Sequence, residues 1–202
     1  MLWILESHLF YKMNWYLNKH ETLESIFFKK EKFNKDSKIL IINSTDYVPI
    51  FDLATELEDG KILSLSRNLK DFNKKVKEFG FEKKVFPISK KAFYIIKKEA
   101  LDSIIWSSID LRKKDVLEDL SLTYRFLKDD GKLFLLFNKE MKLLEEFKVK
   151  LLHKADINET IGILEKIGYK KPFYEKSYSG KELSIYIIIA KKREIFINPF
   201  ES

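Results

Sequence analysis

Apolar positions along this chain come in short runs of four to six residues, and between them lie longer stretches with helical spacing. Strands are predicted at residues 38–43, 61–65, 84–87, 103–107 and 132–137, and helical patterns at 48–57, 69–79, 90–99, 114–127 and 139–152. Two further helical stretches, 2–17 and 22–33, precede the first strand, separated from it by the charged turn at 33–37. Short apolar runs bounded by turn signals and spaced by helices predict a parallel sheet covered on both faces.

The last third breaks this alternation. A helix over 158–167 is stopped by Gly168 and Tyr169, and strands at 173–177 and 183–190 are joined by a short turn containing Gly180. A link that short forces an antiparallel pair, since a parallel link needs a crossover of a dozen residues or more. The fold class predicted is therefore α/β, doubly wound and Rossmann-like, with a mostly parallel sheet closed by an antiparallel C-terminal hairpin. The expected organisation is a helical extension at 1–36, one α/β domain at 37–193 and a tail at 194–202. At 202 residues and 45% apolar, the chain can bury one sizeable core.

Composition narrows the chemistry. With no cysteine, disulfides, thiolate metal sites and a cysteine nucleophile are excluded. The chain also lacks glutamine and is rich in Lys, Glu, Ile and Phe, a balance typical of thermophile proteins. Residues 1–17 are apolar, but Glu6, His8 and Lys12 interrupt them, so they form neither a targeting segment nor the roughly 18 uninterrupted apolar residues of a membrane span. A soluble cytoplasmic protein is expected. His8, His20 and His153 stand in no ligand spacing, so no metal site is predicted.

Residues 38–66 have the layout of a nucleotide-binding strand, turn, helix and strand. After Ile39-Leu40-Ile41-Ile42, however, comes Asn43-Ser44-Thr45-Asp46-Tyr47 in place of a glycine-rich turn, and the second strand ends in Ser66 in place of an acid for a ribose. Pro49 suits the first turn of the following helix, with Thr45 or Asp46 as its cap.

The order of elements over residues 38–192 resembles the class I S-adenosylmethionine-dependent methyltransferases. Four phrases carry the resemblance: LDSIIWSSID as the fourth strand, VLEDLSLTYRFLKDDGKLFLLF as a helix, turn and fifth strand, INETIGILEKIGY as a late helix, and LSIYIIIAKK as the closing strand. The resemblance implies an acid where Ile41 stands and a glycine-patterned loop where Asn43, Thr45 and Tyr47 stand. It also implies a ribose-binding acid at Ser66; replacing charge-assisted hydrogen bonds with a hydroxyl there costs on the order of a hundredfold in affinity. Nor do Ser107-Ser108-Ile109-Asp110 carry the Asp-Pro-Pro-aromatic or Asn-Pro-Pro-aromatic phrase of amino-methylating relatives. The expectation is a methyltransferase-like binding or structural subunit that does not hold S-adenosylmethionine in the usual way. The alternative is a divergent, active methyltransferase on RNA or another macromolecule, its cofactor lying across Asn43, Ser44, Thr45, Asp46, Ser66 and Ser107. No catalytic residue is assigned.

Charge is uneven. Residues 61–98 hold twelve Lys or Arg against Asp71, Glu78 and Glu82, a local balance of +9 in a chain of net charge +7. The pairs Lys74-Lys75, Lys83-Lys84, Lys90-Lys91 and Lys97-Lys98 are interleaved with Phe72, Phe79, Phe81, Phe86, Phe93 and Tyr94. Such a pattern fits a basic edge for nucleic acid; equally, it fits the solvated face of lysine-rich helices whose aromatics are core. The first helix is apolar on more than one face, including Trp3, Phe10 and Trp15, which points to a dimer or protein partner, or to a cover over the chain's own crevice.

Overall fold

The structure, a computed structural model, describes residues 22–44, 46–66, 68–107, 109, 114–138, 154–179 and 184–192, with the side chains of 114, 138, 154–156, 171–176 and 184 excepted. Its centre is β1 (Lys38–Ile42), whose KILII run has four consecutive buried residues and therefore needs apolar cover on both faces. The other strands are β2 (Lys61–Leu65), β3 (Val85–Ile88), β4 (Leu101–Ser107), β5 (Leu127–Asn138), β6 (Lys170–Ser179) and β7 (Ser184–Lys191). They form a seven-stranded sheet in the order β3-β2-β1-β4-β5-β7-β6. The first five are parallel to their neighbours, while β7 is antiparallel to both β5 and β6. The strand order reverses between β1 and β4, which opens a crevice outside their carboxyl ends.

Six helices among the described residues cover the sheet: α1 (Leu23–Lys30), α2 (Val48–Glu56), α3 (Leu69–Glu78), α4 (Lys90–Tyr94), α5 (Lys114–Phe126) and α6 (Lys154–Ile167). Strand alternation sorts the core into two clusters. Ile39, Ile41, Ile62, Ile105, Phe134 and Ile187 meet α1, α2 and α3 on one face. Leu40, Ile42, Ile104, Trp106, Leu133 and Leu135 meet α4, α5 and α6 on the other. Helix α1 opens with a capping box between Thr22 and Ser25 and buries Ile26, Phe27 and Phe28, Phe27 lying 5.1 Å from the Phe134 ring of β5.

Several boundaries differ from expectation for local reasons. Helix α4 ends at Tyr94, not 99, because Phe93 is its sole fully buried anchor and the chain turns to reach β4 through Glu99 at φ 54. Strand β5 starts at Leu127, and the turn expected at Asp129-Asp130 survives inside it as an irregularity between the Leu101 and Ser103 pairings. Asp102, expected just before β4, lies within it and ties the amino ends of three strands, accepting from the Lys38 backbone N–H at 2.8 Å and the Lys128 ammonium at 2.6 Å. Gly168 ends α6 at φ 118, a conformation that favours glycine, and Tyr169 then buries its hydroxyl 3.0 Å from that of Thr123. Burial holds the Tyr169 phenol well above its ordinary pKa. The expected helix at 139–152 and the turn at Gly180 lie outside the described residues. Among those described, no helix is long and apolar enough to cross a membrane.

Candidate functional site

At the carboxyl ends of β1 and β2, a cleft of about 540 Å³ opens between α2 and α3. It is of the size and kind of small-ligand pockets, which are concave, partly apolar and furnished with a few convergent polar groups. Asn43, Ser44, Asp46 and Tyr47 form one wall, and Ser64, Ser66, Asn68 and Asp71 the other. Ile50, Leu65 and Phe72 supply apolar surface.

The β1–α2 loop is built from its own sequence. Asn43 takes φ 59, the left-handed conformation in which Asn is among the few side chains tolerated. Ser44 then donates its hydroxyl to the Asp46 carbonyl at 2.7 Å, and the Asp46 carboxylate accepts from the Val48 N–H at 3.0 Å. The carboxylate of Asp46 thus holds an orphan donor at the start of α2, with Pro49 in the first turn. The N-cap position itself is Tyr47, which makes no side-chain cap hydrogen bond; of the two residues expected as cap, Asp46 instead binds from one residue upstream, and Thr45 lies outside the described residues. Tyr47 turns its ring onto Phe51 and Phe72, with centroids at 5.7 and 5.9 Å. Burial raises its pKa, and Lys75 opposes that rise while Asp71, Asp46 and Glu78 add to it, so the phenol stays protonated.

The opposite wall is likewise engaged with its own backbone. Ser66 accepts from the Asn68 N–H at 3.2 Å, and Asn68 in turn caps α3 by accepting from Asp71 N–H at 3.2 Å. Ser64 is the exception. It is buried on the same face of β2 as Ile62, lines the cleft, and makes no side-chain hydrogen bond within the protein.

Of the residues proposed from sequence, Asn43, Ser44, Asp46 and Ser66 come together on the cleft. Ser107 does not line it. It ends β4, one position beyond the Ile42–Trp106 pair, 1% exposed and with an unpartnered hydroxyl. Sequence reasoning missed Ser64 and Asp71. A signal existed for Ser64, a small polar residue at an inward position of an apolar strand. Asp71 had none, because it follows the strand end by six positions and reaches the cleft only through the turn into α3. Among the described residues, no three His, Asp or Glu side chains gather as a metal site.

No family model matches the sequence, and comparison with curated proteins finds no match. Solved structures do match in shape. A methyltransferase of Aquifex aeolicus dependent on S-adenosylmethionine superposes with a TM-score of 0.65 at 15% identity, covering 86% of this chain and 94% of its own. The fold is that of the class I S-adenosylmethionine-dependent methyltransferases. A precorrin-6y C5,15-methyltransferase of Geobacter metallireducens is similar at TM-score 0.57 and 16% identity, covering 84% of this chain and 87% of its own. The [4+2]-cyclase SpnF superposes as well as the Aquifex protein, at TM-score 0.65 and 11% identity, over 85% of this chain and 80% of its own. A cyclase and methyltransferases sharing one methyltransferase-like fold mean that the fold alone does not fix the reaction.

The positions that the resemblance assigns to S-adenosylmethionine are occupied differently here. Ile41, where the family's acid stands, is a fully buried core residue beneath α2. The Tyr47 ring lies against Phe51 and Phe72 where the family pattern has glycine, and Ser66 already receives a backbone N–H.

Proposed function

We propose that this methyltransferase-like chain is a binding or structural subunit that does not hold S-adenosylmethionine in the family's manner. The observation that carries this reading is the β1–α2 loop, in which Ser44 and Asp46 direct their polar groups to the loop's own backbone. A ligand would have to displace these contacts rather than complete them. Calorimetric titration of the full chain with S-adenosylmethionine and with its demethylated product tests this. No heat of binding up to millimolar ligand is expected, and micromolar binding overturns the proposal.

One observation favours a second reading, an active and divergent methyltransferase. Asn43 keeps the positive φ of a glycine-patterned turn, and the cleft keeps open volume with the Asp71 carboxylate and the free Ser64 hydroxyl on its wall. On that reading the cofactor lies across Asn43, Ser44, Asp46 and Ser66 of the residues first singled out, and Ser107, buried outside the cleft, does not reach it. Micromolar binding that Asp71→Asn weakens tenfold or more would support it.

A further inference from the structure

The lysine surplus between residues 61 and 98 resolves into two populations. Lys74 and Lys75 pair with Glu78, Lys90 pairs with Asp119, and Lys98 pairs with Glu99. Lys84 reaches the carbonyls of Ala54 and Leu57 at the end of α2, and Lys61 reaches the Lys83 carbonyl at 2.8 Å. Of the eight lysines paired in the sequence, Lys74, Lys75, Lys84, Lys90 and Lys98 are therefore held by the protein itself. Among the described residues, Lys70, Lys77, Lys83, Lys91 and Lys97 have no partner for their ammonium groups.

Lys70, Lys77, Lys83 and Lys91 lie on or beside the elements next to the open edge of the sheet, where β3 has no outer neighbour; Lys97 lies further in, before β4 and close to Glu99, whose N–H binds the Arg125 carbonyl. Lys70 and Lys77 lie on α3, roughly 100–120° around the helix from the cleft-lining Asp71 and so turned away from the cleft. Lys83 precedes β3, and Lys91 and Lys97 lie on and after α4 on the opposite face.

The interleaved aromatics divide too. Phe72 and Phe93 are core, and Phe79 and Phe81 pack on the Phe51 ring at 5.5 and 4.9 Å. Phe86 on β3 and Tyr94 on α4 are 38% and 49% exposed, followed by Ile95 at 82%. Among the described residues these three are the exposed large apolar side chains, and all lie within the segment that carries the free lysines.

We propose that this edge, formed by α3, β3 and α4, is a docking surface for single-stranded nucleic acid. Uncommitted lysines act as point charges on phosphates, and an exposed ring offers a stacking face to a base of any identity. Addition of a peptide strand is disfavoured, since β3 is four residues long and Pro87 removes one of its backbone donors. This surface does not depend on what the cleft binds.

Titration of the full chain with a short fluorescein-labelled single-stranded RNA, across about 50 to 200 mM salt, tests the proposal. Binding is expected, with a slope of log K against log salt of about −2 to −3 for three to four lysine contacts. The combined change Lys77→Ala, Lys83→Ala and Lys91→Ala should shrink that slope by about 2. Phe86→Ala and Tyr94→Ala, each compared at a temperature where its own melt shows it folded, should weaken binding about five- to a hundredfold with the slope retained. The proposal is overturned by absence of binding at the lowest salt, or by a duplex of the same sequence binding as tightly. It is also overturned if the aromatic substitutions have no effect, or if polyglutamate competes as well as unlabelled RNA, which would mark an acidic-protein surface instead.

Discussion

A single side chain decides whether the β1–α2 turn can exist without glycine. Asn43 sits at φ 59, where most L-residues lose about 1–2 kcal/mol and a β-branched one is a true outlier. Asn43→Gly should therefore melt within about 0.5 kcal/mol of the parent, while Asn43→Val should cost about 1–2 kcal/mol, a fall of roughly 2–8 °C at this chain length. Thermal denaturation followed by circular dichroism distinguishes them, and equal melting of the two would place Asn43 outside the left-handed region. Sequence identified the position, because Asn follows the strand where a glycine is expected, but it did not reveal the conformation. Asn, Asp and Ser all fit turns, and which of them adopts positive φ depends on where the next helix starts. Here Asp46 binds the Val48 N–H and fixes that start.

Elements were legible where burial is unambiguous and illegible where an element is held by one anchor. The apolar runs of β1, β2 and β4 announce two-sided burial, and the tight link before β7 announces its antiparallel sense. Helix α4 was overextended because Ile95 and Ile96 continue its apolar pattern, but only Ile96 packs against the core, while Ile95 is solvent-exposed. The same helix is tied to α5 by Lys90, whose ammonium pairs with the buried carboxylate of Asp119 and stands 5.2 Å from the ring centroids of Phe93 and Tyr94. Burial works against the charged Lys90, but the hydrogen bond and charge of Asp119 outweigh it and hold its pKa above the ordinary lysine value. A raised folded pKa gives stability that is complete below the unfolded value, about 10.4, and lost as pH rises through the folded one. Lys90→Met should cost roughly 1–2 kcal/mol at neutral pH; a fully buried pair would lose more, but the lysine side chain is 44% exposed and water screens it. Urea denaturation at pH values on both sides of the unfolded lysine pKa should show this difference shrinking in alkali. A difference that stays constant with pH would remove the pair from the stability of α4.

At the scale of the whole molecule, a mostly parallel sheet covered on both faces followed from the sequence pattern. The place of α1 did not, because a helix before the first strand can lie on the sheet or apart from it with the same periodicity. Its position is set by Ile26, Phe27 and Phe28, buried in one cluster with Phe134 of β5 and Ile185 and Ile187 of β7. At about 1.5–3 kcal/mol for each fully buried apolar side chain, removing these three costs an amount comparable to the 5–15 kcal/mol that holds a typical domain together. Deleting residues 1–36 should therefore abolish cooperative melting, whereas deleting only residues 1–21 should preserve it. The shorter deletion removes Trp3, Phe10 and Trp15, which lie outside the described residues and whose pattern points to an interface. We expect it to lower the oligomeric mass measured by light scattering while leaving the circular dichroism melt within a few degrees of the parent. An unchanged mass would mean that the apolar lead-in makes no interface between copies. A lost melt would mean that it belongs to the same core as α1.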